Sequence, residues 1–304
     1  MFDRWVARRL VNDLRFDILI GYENCNLISF RTAKKLGKVT VLDLAHIHHT
    51  KSVALRSMYS PLPVDPREMS YVNWRKDAAL AVTDYIFSLS GFATHSLVEN
   101  GIQPYRIYEL NLGVNLELFR PAVPRKSRFT ALYVGTIHYL KGIDKLLAAW
   151  QTLKLPDAEL IIVGPVGDAG SLLKQYSGSF TYLPFLHHDE LVKYYQHADV
   201  FVFPSYLDSW GQVVLEAMAC GTPVIVTENT GAKDAVAKGG GFVVPPGDQQ
   251  ALQEKIMYLY QNRAEVERLG LEARRVAEQY TWENYYAQVQ GALEDIARRE
   301  NISL

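Results

Sequence analysis

The strongest constraint in this sequence is an alternation. Short runs of β-branched and aromatic residues recur between stretches of helical period along nearly the whole chain. Residues 16–21, 38–42, 84–90 and 107–112 read as buried strands, with helices expected over 25–36, 66–82 and 92–100. Apolar runs of this kind need cover on both faces, so the βα rhythm predicts a parallel sheet packed between helices. The rhythm breaks once, at Phe119, Arg120, Pro121, Ala122, Val123, Pro124, Arg125 and Lys126, where proline and charge mark a linker near residues 120–127. It then resumes, with strands expected at 129–134, 159–163, 179–183, 199–203, 223–227 and 241–244. Ile143, Leu146, Leu147, Trp150 and Leu153 recur at helical spacing and predict a helix over 143–153; further helices are expected over 265–279 and 282–299. The pattern is two α/β domains in tandem.

Length and charge agree with that pattern and exclude several function classes. At roughly 100–200 residues per domain, 304 residues make about two domains. Lys and Arg number 32 against 33 Asp and Glu, so no basic stripe marks nucleic acid as a partner. Cys25 and Cys220 form no CxxC pair, which argues against a disulfide framework or structural zinc and fits a reducing cytoplasm. Apolar runs such as 200–203 fall far short of the ~20 residues of a membrane span. The opening residues lack the apolar core of a secretory signal. Phe2, Trp5, Val6, Arg8, Arg9 and Leu10 form an amphipathic pattern, read first as a core-facing helix and second as an interfacial one.

Three segments could carry chemistry. Gly135, Thr136, Ile137, His138, Tyr139, Leu140, Lys141 and Gly142 follow a strand, where an open α/β fold binds ligands; glycine can admit a phosphate and Lys141 can supply charge. The segment matches neither a Walker A motif nor GxGxxG, and it reads equally as a tight turn with a solvated lysine. In the segment from Pro204 to Pro223, Ser209 and Gln212 have capping-box spacing and predict a helix start there. Glu216 sits among Val213, Val214, Leu215, Ala217, Met218 and Ala219, a helix apolar nearly all round, so its carboxylate should be paired or face a ligand. Seven residues separate it from Asp208, and both acids could border one pocket at the helix start. The alternative, which helix physics alone favours, is that Asp208 helps cap the helix and Glu216 pairs with a nearby base. The third segment, Val41 to His49, places His46 and His48 on one face if its strand continues. No cysteine or regular carboxylate pattern accompanies them, so positioning or acid–base work suits them better than a metal, with ordinary surface or core histidines the equal alternative. His187 and His188 read as cap or loop residues ahead of a helix.

These residues carry a family resemblance. Gly135-Thr136, Lys141-Gly142, Gly164-Pro165, the run from His197 to Ser205, the run from Asp208 to Val224, and the run from Gly241 to Asp248 resemble the donor domain of glycosyltransferase family four. A weaker match extends forward through residues 88–92 and 112–115. The resemblance implies a GT-B-like α/β fold, two Rossmann-like parallel-sheet domains facing across a cleft, the first one truncated. The implied domains are 1–120 on the acceptor side, 121–281 binding the donor, and a closing helix, 282–304, packing back on the first domain.

The resemblance also implies roles. Glu216 stands at the acid that holds the donor's ribose hydroxyls. Asp208 stands where the family usually has glutamate, near the reacting carbon. Lys141 matches the phosphate-binding lysine, and Thr136 replaces its usual arginine partner. His48, or failing that His46, matches the histidine that contacts the donor sugar. Gly135, Gly164, Leu186, Trp210, Gly211 and Gln212 complete the implied donor site. The implied activity is retaining transfer of a hexose from a nucleoside-diphosphate sugar to an acceptor hydroxyl on a glycan, a lipid-linked saccharide or a small molecule. It needs no metal and no cofactor beyond the donor. A cytoplasmic place at the inner membrane face, and a partner chain completing the acceptor side, stay open. The competing readings are a non-catalytic nucleotide-sugar binder or partner subunit, and a nucleotide-sugar 2-epimerase.

Overall fold

The computed structural model describes residues 1–63, 66–122 and 128–303. Residues 123–127 of the expected linker lie outside the described residues. Two compact units divide the chain. One gathers Met1–Ser57, Leu62–Asn111 and Tyr285–Leu304; the other gathers Met58–Pro61 and Leu112–Asn284.

The first unit contains α1 (Phe2–Asn12), β1 (Ile18–Tyr22), α2 (Leu27–Lys35), β2 (Val39–Leu44) and α3 (His49–Tyr59), then α4 (Pro66–Leu80), β3 (Tyr85–Ser88), α5 (Gly91–Glu99) and β4 (Ile107–Glu109). Its strands pair in chain order, β1-β2-β3-β4, all parallel. Strand alternation sends Val39, Val41, Tyr85 and Phe87 to one face, against Ala292 and Ile296 of the closing helix. Leu42, Leu44 and Ile86 face the other way, toward Phe30, Leu80 and Leu97. The strand expected over 107–112 ends at Glu109, where the sheet has its edge.

The core-facing reading of the opening helix needs correction. In α1 the buried residues are Asp3 and Ala7, while Phe2 and Trp5 are exposed. Asp3 is held inward because its carboxylate accepts hydrogen bonds from Ile28 N and Ser29 N, each 2.8 Å long, at the start of α2.

The second unit runs β5 (Phe129–Val134), a 3-10 turn (Tyr139–Lys141), α6 (Ile143–Leu153), β6 (Ala158–Val163), α7 (Gly170–Gln175), β7 (Thr181–Leu183) and α8 (His188–His197). It continues with β8 (Val200–Phe203), α9 (Gln212–Ala219), β9 (Val224–Thr227), α10 (Lys233–Val236), β10 (Gly241–Val244), α11 (Gln249–Gln261) and α12 (Arg263–Ala277). The last helix, α13 (Trp282–Arg299), leaves this unit and belongs to the first from Tyr285 onward. The parallel strands are ordered β10-β9-β8-β5-β6-β7. From β5 the chain builds outward through β6 and β7, then returns to place β8 on the other side of β5. Ligands of doubly wound sheets bind at the carboxyl ends of the strands beside such a reversal. Every residue of β5, β8 and β9 is buried, as central parallel strands require.

Candidate functional site

A cavity of about 330 Å³ opens at the carboxyl ends of β5, β6 and β7. Gly135 and Thr136 after β5, and Gly164 after β6, line one side. The backbones approach closely there, since a Cβ on Gly164 would overlap the Gly135 carbonyl. Leu186 lines it from the loop after β7, and Glu216 from α9. Sequence reasoning missed Phe185, Val213 and the lining role of His187 and His188. The two histidines do stand at the start of α8, as cap residue and first residue. Only the order of the strands turns that position toward the cavity.

Glu216 is 6% exposed, and Tyr195 OH on α8 donates to its Oε2 at 2.9 Å. Burial pushes the carboxyl pKa above the ordinary glutamate value, opposed by the Tyr195 hydrogen bond and by His188. The acid in an apolar helix is thus both paired and cavity-facing.

Lys141 and Asp208 are not among the residues lining this cavity; they bond to each other. Lys141 Nζ lies 2.6 Å from Asp208 Oδ2 and 3.4 Å from the Leu207 carbonyl oxygen. The lysine ends the 3-10 turn, and Gly142 follows at φ +68°, where a Cβ would overlap the Pro204 carbonyl oxygen. Only glycine lets this turn close against the end of β8.

The capping box is also corrected. α9 starts at Gln212 with Gly211 as its cap residue, and no side chain caps it. Asp208 Oδ1 accepts from Trp210 N at 3.1 Å, making a local turn that postpones the helix past Ser209. Gln212 instead donates to the Gly113 carbonyl at 2.9 Å and accepts from Trp210 Nε1 at 3.2 Å. Trp210 is buried, its ring 5.9 Å from that of Tyr280, and serves packing rather than the cavity wall.

In the first unit, β2 ends at Leu44, so His46 and His48 do not share a strand face. His46 is exposed and His48 buried. The His48 backbone N–H donates to Ser96 Oγ, and its Nδ1 accepts from Thr50 N at 3.3 Å. Its ring stacks on His49 with centroids 4.5 Å apart. Burial, and next the His49 charge, lower the His48 pKa to about 4, so the ring is neutral at pH 7. His48, His49 and Asp77 are the one metal-ligand grouping among the described residues. Within it, His49 Nε2 already contacts Asp77 Oδ1 at 2.6 Å. No helix among the described residues is long and apolar enough to cross a membrane.

Comparison with known proteins places this geometry. A D-inositol 3-phosphate glycosyltransferase of Streptomyces bingchenggensis is 34% identical over 210 residues, covering 60% of this chain and 46% of that protein. Its counterpart from Catenulispora acidiphila is 29% identical over 234 residues, covering 68% and 56%. The chain therefore spans about half the length of the curated relatives it matches. Among solved structures, sucrose-phosphate synthase from Thermosynechococcus elongatus superposes with TM-score 0.77 at 21% identity, covering 98% of this chain and 78% of that one. Anabaena HepE in complex with UDP gives 0.79 at 18%, covering 96% and 82%. These likenesses assign the two parallel-sheet units to the GT-B fold class. Residues 115–276, more than half of the chain, match the family described as glycosyl transferases group 1, and the chain belongs to that family.

Proposed function

We propose that the chain is a retaining glycosyltransferase that moves a hexose from a nucleoside-diphosphate sugar to an acceptor hydroxyl. The observation that carries this is the cavity at the strand-order reversal, walled by glycine backbone and by the buried carboxylate of Glu216. The bound UDP named for the HepE structure supports a nucleotide in the same fold. On this reading the second unit holds the donor and the first serves the acceptor side.

Glu216 accepts the ribose hydroxyls. Lys141 and the amino end of α9 stabilise the charge that develops on the departing diphosphate, which lets the reaction run without a metal. Thr136 adds a hydrogen bond there but no charge. Asp208 and His48 position the sugar, with His46 the lesser candidate. A His48 ring with its pKa near 4 is a hydrogen-bonding group at neutral pH rather than a proton donor. The acceptor is a glycan, a lipid-linked saccharide or a small molecule, and the compartment a reducing one. For a lipid-linked acceptor, the exposed Phe2, Trp5, Arg8 and Arg9 of α1 would meet the inner membrane face. Co-sedimentation with anionic vesicles, and its loss in Trp5→Ser, checks that element.

A thermal-shift screen of UDP-, GDP- and ADP-sugars, followed by product analysis with and without acceptors, tests the proposal. A ligand at 100 times its dissociation constant should stabilise the fold by about 2.7 kcal/mol. Transfer to an acceptor supports the reading. Release of an epimerised sugar without acceptor would indicate a 2-epimerase. Binding with no chemistry would indicate a non-catalytic subunit, one that acts with a partner chain.

A further inference from the structure

Lys141 and Asp208 are placed to act on one another before any donor arrives. Both are fixed by backbone. The Leu140 carbonyl, beside Lys141, accepts from Tyr206 N at 2.9 Å and from Ser205 Oγ at 3.2 Å, tying the 3-10 turn to the segment that carries Asp208. Asp208 itself donates its N–H to the Asn229 carbonyl at 3.1 Å, and its carbonyl accepts from Gly231 N at 2.9 Å. The 2.6 Å ion pair thus joins two rigid supports across the neighbouring ends of β5 and β8.

We propose that this pair is a release latch for the spent donor, in which Asp208 competes with the diphosphate for Lys141. The inference rests on the donor site proposed above. A diphosphate that takes Lys141 must displace the Asp208 carboxylate and leave it close to phosphate oxygens of the same sign. An intact sugar nucleotide offsets this, because its sugar hydroxyls can donate to the carboxylate. The nucleoside diphosphate left after transfer has no such hydroxyls and carries more negative charge on its terminal phosphate. Asp208 therefore discriminates against product more than against donor, and its return to Lys141 accompanies release.

Calorimetric titration of the wild type, Asp208→Asn and Asp208→Ser with UDP, GDP, UDP-glucose and GDP-mannose tests the latch. Both variants should bind the accepted nucleoside diphosphate about tenfold more tightly, with the sugar nucleotide shifted by less than about threefold. Product inhibition should strengthen in parallel. Agreement between asparagine and serine excludes a new bond made by the asparagine amide. Unchanged or weakened diphosphate affinity in both variants overturns the latch while leaving the donor site standing. A wild type that binds none of these four, and neither ADP nor ADP-glucose, overturns the donor site, and the latch with it.

Discussion

The two units use the same βα alternation, yet only the second turns back on itself. In the first, β1-β2-β3-β4 follow chain order, and successive loops leave the sheet side by side. In the second, the order β10-β9-β8-β5-β6-β7 puts β8 beside β5, so the direction of winding reverses there. The cavity, Glu216 and the Lys141–Asp208 pair all belong to the unit with the reversal. Strand order, more than strand content, decides where a parallel sheet offers a ligand site.

The largest effect that could break this contrast lies in turnover. Glu216→Gln and Lys141→Met should each lower transfer by about 10²–10³-fold with an identified donor, measured as initial rates. Wild-type rates in both would remove the second unit's special standing.

Next come two glycines with nearly the same φ. Gly142 (φ +68°) is jammed against Pro204, whereas Gly37 of the first unit (φ +71°) has nothing within 4 Å of an added Cβ. Gly142→Ala should cost about 3 kcal/mol or more in urea unfolding, and Gly37→Ala only about 1 kcal/mol. Equal costs would show that the turn before α6 is not held as tightly as described.

A pH effect sharpens the comparison from the first unit's side. His48 takes a proton near its ordinary value of 6.5 when unfolded but only near 4 when folded. Stability should therefore fall as pH drops from about 6.5 toward 4, with no contribution above that window, by about 3 kcal/mol. His48→Gln should flatten that slope in denaturant titrations across the window.

The smallest effect concerns the support of Glu216. Tyr195→Phe removes the 2.9 Å hydrogen bond that opposes the upward pKa shift. Nucleoside diphosphate affinity should weaken by about 1 kcal/mol, and its loss on acidification should begin at higher pH than in the wild type. An unaltered pH profile would mean that the tyrosine only packs.

Periodicity made much of the fold legible. Helices over 143–153 and 282–299 match their expected limits, because a recurring apolar stripe marks both ends of a buried helix face. Glu216 stood out because an acid inside an apolar helix must have a partner or a ligand. What escaped notice depends on neighbours far apart in sequence. Lys141 meets Asp208, and Phe185 and His187 reach the same cavity as Thr136, only because β8, β6 and β7 take their places around β5. The late start of α9 had a different cause, since the Asp208 turn outcompeted the Ser209–Gln212 box locally. In α1, the bond of Asp3 to the start of α2 outweighed the apolar pattern and left Trp5 outside.

One titration tests the central claim most directly: the nucleoside diphosphate selected by the screen, measured calorimetrically against wild type, Glu216→Gln and His48→Gln. Since this ligand carries no sugar, the account predicts at least about tenfold weaker binding in Glu216→Gln and wild-type affinity in His48→Gln. Equal weakening in both variants, or wild-type affinity in Glu216→Gln, would contradict a donor site held by the second unit.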